Sequence, residues 1–358
     1  MHGIAGKAQV HDADESGDHS NGESGGAHLS ASGRVRSPIL ERRCEPRDTA
    51  FASGTWHPLA SPAIIAVTMA DLSYEKIEVG KEHGPWKYPL KERIARHLEA
   101  VENAHPWHNE RSPWGPPVAP PSILGNAALR FLDSIAPVPP GTLHAKHEIE
   151  TAAALRLDRQ PVGYGRFADK YEKRGRRWFV FETRWRDETG LIIGKSTLTM
   201  AFPGEGGRGK EEEGGSQKPE VVEVKGELTP IVRTLKQEMM TAYSEDSANA
   251  LRGMSIHVQP EAAKKAGFET TVAQGLMSAD YISEVMTSLL GKEWFENAKL
   301  SLAFLRPVLC GETLTANSRL AESAPDGAVV RRTYEVWCEN VEGATVTAGT
   351  ATALVRPD

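Results

Sequence analysis

A chain of 358 residues with 39% hydrophobic content is long enough for two domains of ordinary size, each with its own core. Its formal charge of −6 offers no electrostatic footprint for nucleic acid, and the basic run EKRGRR (172–177) is short enough to read as a solvated hairpin end. Cys44, Cys310 and Cys338 stand too far apart for a disulfide framework or a Cys-x-x-Cys metal site, which points to a reducing compartment.

Residues 1–55 are rich in Gly, Ser, His and Asp. They cannot bury enough apolar surface to offset chain entropy, so a disordered tail is expected there. This segment lacks the apolar core of a secretory signal, and no run in the chain reaches the roughly 18–20 apolar residues of a membrane span. The expected location is intracellular and cytoplasmic, with a peroxisomal one left open.

Further along, LKERIARHLEAVEN (90–103) has a helical pattern and leads to a histidine loop, HPWH (105–108). SILGNAALRFLDSI (122–135) is a second, apolar helix. RRWFVFETRWRDETGLIIGKSTLTMAF (176–202) alternates in polarity around a Glu-Thr-Gly turn, which predicts two antiparallel strands. The glycine-rich and charged stretch that follows predicts a flexible linker at 204–221. Beyond it, LKQEMMTAYSEDSANAL (235–251) reads as one helix, MSIH (254–257) as a loop and GLMSADYISEVMTSLLG (275–291) as a second apolar helix. KLSLAFLRPVLCGETLTANSRLAES (299–323) reads as another antiparallel strand pair turning at Cys310-Gly311-Glu312, with Cys310 and Cys338 in apolar runs of the core.

The two parts repeat one order. Gly190 and Gly343, His108 and His257, and Val118 and Val272 are each separated by about 150 residues, which argues for duplication of a whole domain. A buried helix followed by long antiparallel strands makes each part an α+β unit whose sheet wraps the helix.

These residues resemble the MaoC-type, R-specific enoyl-CoA hydratase and dehydratase family in its double-hotdog form, over about residues 72–356. The resemblance rests on HPWHNE followed by GPPVAPPSIL in the first part. In the second it rests on IHVQPEAAKKAGFETTVAQGLM and LSLAFLRPVLCGETLTA. It implies a double hotdog with an N-terminal repeat at 72–203 and a C-terminal one at 222–358. It further implies a cofactor-independent enzyme of the lyase or isomerase type.

Hydration beside a thioester needs groups that move protons and a donor for the carbonyl oxygen. The family supplies the first as Asp and His of D-x-N-P-x-H, and the second as a backbone N–H where the central helix begins. Carried over by position, His257 matches the histidine, while Arg252, Met254 and Ser255 stand where Asp, Asn and Pro belong. Gln274-Gly275-Leu276 matches the helix start, so the Gly275 N–H survives beside Gln274. Asp246 could serve as the acid only through a rearranged loop. In the first part, Asn103 and His105 replace Asp and Asn, Pro106 and His108 match, and the donor position is Pro121, which has no N–H. Neither half holds a complete hydratase set.

The expected catalytic residues are therefore His257, Gly275, Gln274 and Asp246. Arg252, Met254, Met277, Asn103, His105, Trp107 and His108 are expected to face substrate, although Arg252 reads first as a surface or interdomain ion-pair residue. No metal is expected, because His105 and His108 lack a third ligand. Trp86, Trp107 and Trp114 read as lid packing. The degraded dyad favours a pocket repurposed for a cyclisation or isomerisation of a hydrophobic unsaturated carbonyl compound, such as an intramolecular [4+2] cycloaddition in a fungal natural-product pathway. The alternatives are a thioester hydro-lyase and a non-catalytic partner subunit. The partner expected is a small hydrophobic molecule, thioester or not, held by a monomeric pseudo-dimer or a homodimer, with no nucleic acid.

Overall fold

The computed structural model describes residues 70–204 and 230–357; the tail expected at 1–55 and nearly all of the linker expected at 204–221 lie outside them. The first half contains β1 (Glu82–Lys87), α1 (Leu90–Ala100), a single turn α2 (Pro106–Asn109) and the central helix α3 (Ile123–Ile135). It continues with β2 (Leu143–Thr151), β3 (Val162–Lys173), β4 (Arg176–Arg186) and β5 (Ile192–Ala201). The second half repeats this plan with β6 (Ile231–Thr234), α4 (Gln237–Ser244), α5 (Ala248–Leu251), α6 (Pro260–Lys265), the central helix α7 (Gly275–Leu290) and α8 (Lys292–Phe295). Its strands are β7 (Ala298–Phe304), β8 (Thr313–Asp326), β9 (Val329–Asn340) and β10 (Thr345–Val355).

All ten strands join one antiparallel sheet in the order β1-β3-β4-β5-β2-β7-β10-β9-β8-β6. Read inward from either edge the order is the same, so the duplication expected from the sequence is present as two copies of one topology. They meet where β2 pairs with β7, from Lys146 opposite Ala303 to Thr151 opposite Ala298. Each central helix lies against the strands of its own half. Along β4, Phe179, Phe181, Thr183 and Trp185 are buried at every second position, as a half-buried strand requires. This is the double hotdog, an α+β fold with the helices held in the curl of the sheet.

Two expected elements differ. The helix expected at 235–251 is two, because Ser244 closes α4 and Ser247, whose hydroxyl accepts from Ala250 N, starts α5 anew. The strand pair expected at 299–323 is not a hairpin: β7 pairs with β10 and β2, and β8 with β9 and β6. Local alternation marks both strands but cannot say which neighbour each takes. The EKRGRR run does form a hairpin end, with Arg174 and Gly175 at the turn between β3 and β4. Cys338 is buried and Cys310 half-buried, both as free thiols.

The seam is tight. A Cβ on Gly349 of β10 would lie 1.9 Å from the Ser301 carbonyl oxygen on β7, so only glycine fits there. Beside the seam, on β2, His147 Nε2 lies 2.8 Å from Ser196 Oγ and its Nδ1 lies 3.1 Å from His144 Nε2.

Candidate active site

The two histidines singled out by the repeat occupy the same frame. In the second half, Val272 N donates to Ile256 O at 3.0 Å, and His257 Nδ1 lies 2.6 Å from Val272 O. In the first half, Val118 N donates to Trp107 O at 2.9 Å, and His108 Nδ1 lies 2.7 Å from Val118 O. The next residue then ties the loop to the sheet: Ala273 N donates to Val308 O and Ala119 N to Leu155 O, both at 2.8 Å.

A carbonyl can only accept, so each Nδ1 carries the proton and each Nε2 is left as the basic nitrogen. Burial pushes both imidazoles down to about 4, against an opposing pull from the carbonyl each one contacts. The Arg130 guanidinium lowers His257 further. Both rings are therefore neutral near pH 7.

Two residues beyond Val272, Gln274 is in extended conformation, and α7 begins at the next residue, Gly275. The first amides of a helix have no partner within it and sit at the positive end of its dipole, so this start can polarise a carbonyl oxygen. Ser278 Oγ donates to Gly275 O at 2.6 Å and meets Thr347 Oγ1 at 2.7 Å, which fixes the first turn to β10. A Cβ on Gly275 would come within 2.7 Å of the Phe304 ring, so the aromatic wall sits directly on the glycine. Gln274 is buried and its Oε1 has no hydrogen-bond partner.

The carboxylates are placed elsewhere. Asp246 is gripped by Arg93, which bonds both of its oxygens, and by Arg130 Nη2 at 2.9 Å. It therefore ties α1 and α3 of the first half to the loop after α4. Arg252, in the family acid position, bonds Asp71 at 2.6 Å and Asn249 at 2.7 Å. Met254 is half-buried, with its N–H donating to Asn249 O, and Met277 is fully buried in the core cluster.

In the first half, buried Asn103 accepts from His105 N at 3.0 Å, and His105 Nδ1 accepts from Trp107 N at 3.3 Å. Trp107 packs against Trp114 and Phe295, and the His108 ring lies against Phe295 as well. Trp86 instead stacks on Phe131. His105 and Trp107 adjoin His108, and Gln274 and Gly275 follow the Val272 that holds His257, whereas Arg252 is paired with Asp71, Met277 lies in the core and Asp246 sits in an ion cluster between the halves.

No motif in the sequence pointed to a third, buried polar group. His97 of α1 meets Asp280 of α7 at 3.2 Å, and Tyr243 donates to the other Asp280 oxygen at 2.7 Å. Its members are up to 183 positions apart and belong to no local pattern. Only the repeat offers a hint, since Tyr88 donates to Asn126 of α3 at 3.2 Å in the first half.

Comparison with known proteins bears on the family and the fold. The family model described as a MaoC like domain matches residues 229–337. The (R)-specific enoyl-CoA hydratase of Rhodospirillum rubrum is 32% identical over 117 residues, which is 31% of this chain and 79% of that one. The chain belongs to the MaoC-like hydratase and dehydratase family. Among solved structures, a MaoC-like dehydratase superposes with a TM-score of 0.62 at 15% identity, covering 80% of this chain and all of the other. The MaoC-like dehydratase of Phytophthora capsici gives 0.57 at 15% identity, covering 80% and 98%. A Mycobacterium tuberculosis protein described as a double hotdog gives 0.52 at 12% identity, covering 79% and 98%. Those three likenesses show the fold. Among the described residues of this MaoC-like chain, no helix is long and apolar enough to cross a membrane.

Proposed function

We propose that this MaoC-like chain adds water to, or removes it from, an α,β-unsaturated acyl thioester, with His257 and the start of α7 as its working parts. The observation that carries the reading is the 2.6 Å bond from His257 Nδ1 to Val272 O, which leaves Nε2 as the basic nitrogen and ties the ring to the loop three residues before the Gly275 helix start. The Gly275 N–H takes the charge that grows on the thioester oxygen. His257 Nε2 takes a proton from water as the water oxygen bonds C3, then returns that proton to C2. One group handling one proton needs no second acid, which answers the replacement of the family Asp by Arg252.

The test is loss of the enoyl absorbance on incubation with short and long 2-enoyl thioesters. His257→Gln should lower turnover about 10²–10⁴-fold. Undiminished turnover in that variant would remove His257 from the mechanism.

A second reading is favoured by one observation: Arg252 stands in the family acid position without a carboxyl group, and Asp246 is committed to ion pairs with Arg93 and Arg130, so the site is offered no free carboxylic acid. In that reading the pocket promotes a cyclisation or isomerisation of an unsaturated carbonyl compound in natural-product biosynthesis, by orientation and carbonyl polarisation alone. Holding a reactive conformer can contribute up to about 7–11 kcal/mol. Enoyl turnover abolished by Asp246→Ala would exclude it.

A further inference from the structure

The seam between the halves holds an unassigned polar site at the head of α3. Ser122 stands in the N-cap position of that helix but has helical backbone angles, φ −59° and ψ −20°, rather than the extended ones from which a cap side chain reaches the helix amides. Those amides are already taken. Ile123 N, Leu124 N and Gly125 N donate to Pro120 O, Pro121 O and Ser122 O, closing a tight first turn. Ser122 thus makes no capping bond; it is 5% exposed and its hydroxyl has no partner within the protein. A hydroxyl buried in this way gives up its bonds to bulk water without replacement, a net cost to folding, so its partner is to be sought outside the chain.

Ser122 borders a cavity of about 10 Å³, room for one water molecule and nothing larger. The repeat shows how the space arises. Thr151 ends β2 as Phe304 ends β7, and in the second half the Phe304 ring fills the space at the helix head. Most of the cavity wall is apolar, from Ile149, Trp294, Ala298 and Leu300, and its polar side chains are the hydroxyls of Ser122, of Thr151 and of Ser283 on α7. Thr151 Oγ1 accepts from Ala298 N at 3.1 Å, and Ser283 Oγ accepts from Trp294 Nε1 at 2.9 Å. A hydroxyl oxygen has two lone pairs, so each can accept once more. A water placed there accepts from Ser122 and donates to Thr151 and Ser283, the roughly three bonds that a buried water makes. The adjoining cavity is of the same size, but Thr151 is the one polar side chain on its wall, so it offers a water no such set of partners.

We propose that one buried water is a built-in part of the seam, held by Ser122 at the head of α3, Thr151 of β2 and Ser283 of α7. Its single oxygen joins the central helix of the first half to that of the second. The site stands apart from the thioester reading, because no substrate atom enters it.

A high-resolution crystal structure of the full chain should show one ordered water within about 3 Å of all three hydroxyl oxygens. Thermal melts test the same bonds without a crystal. Ser122→Ala and Ser283→Ala should each lower the midpoint. The double variant should lose less than the two single losses together, because either change releases the same water. If the Ser122 hydroxyl is instead unpaired, Ser122→Ala removes a buried polar group at no loss, and the midpoint holds or rises. That result, losses that simply add, or a crystal structure without density between the three hydroxyls would each overturn the proposal.

Discussion

Acid should destabilise this fold through His108 and His257, and the size of the effect can be worked out. Each imidazole is held to about 4 in the folded chain, against an ordinary value of 6.5. The folded value lies below the unfolded one, so between pH 6.5 and 4 the unfolded chain binds more protons and stability falls as pH falls. Above pH 6.5 neither group contributes. At pH 5 the cost of keeping one such histidine neutral is about 2 kcal/mol, so the pair costs about 4 kcal/mol. That is a large share of the roughly 5–15 kcal/mol that holds a typical domain together. Urea unfolding at pH 8 and pH 5 measures the difference. Glutamine at either position stays neutral and can still donate to the loop carbonyl, so each substitution should shrink the difference by about 2 kcal/mol. If His108→Gln and His257→Gln leave it unchanged, the two rings are not held neutral by burial and the tautomer argument for their Nε2 atoms fails.

Other outcomes follow from the contacts. Asp246→Asn removes the anion shared by Arg93 and Arg130 and should cost about 1–3 kcal/mol in urea unfolding; lost turnover with unchanged stability would instead make Asp246 the acid. Gly349→Ala drives a Cβ into the Ser301 carbonyl and should cost at least about 3 kcal/mol or prevent folding, a result visible in thermal melts. Gly275→Ala keeps the N–H but pushes the Phe304 ring, so kcat should fall more than stability does; equal kcat would argue that the helix start takes no charge in the transition state.

By itself the sequence determined the repeat, the central helices, most strands and the two histidine loops. These are local signals: periodicity, turn residues, and a motif whose spacing survives when some of its members change. It also showed that Arg252 replaces the family acid, since identity at a position needs no coordinates. Tertiary structure decided which strands are neighbours. The run at 299–323 looks like a hairpin because alternation is the same whichever partner a strand takes, and only the sheet order sends β7 to the seam. It also decided the charges. Asp246 reads from the sequence as an acid reachable only through a rearranged loop, and becomes an anchor only because Arg93 and Arg130 arrive from the other half. The same holds for His97 with Asp280, and for Ser122, whose lack of a partner cannot be seen until every neighbour is in place. Ionic pairing, burial and unmet hydrogen bonds depend on what lies beyond the chain's own neighbourhood, so three dimensions are needed to read them.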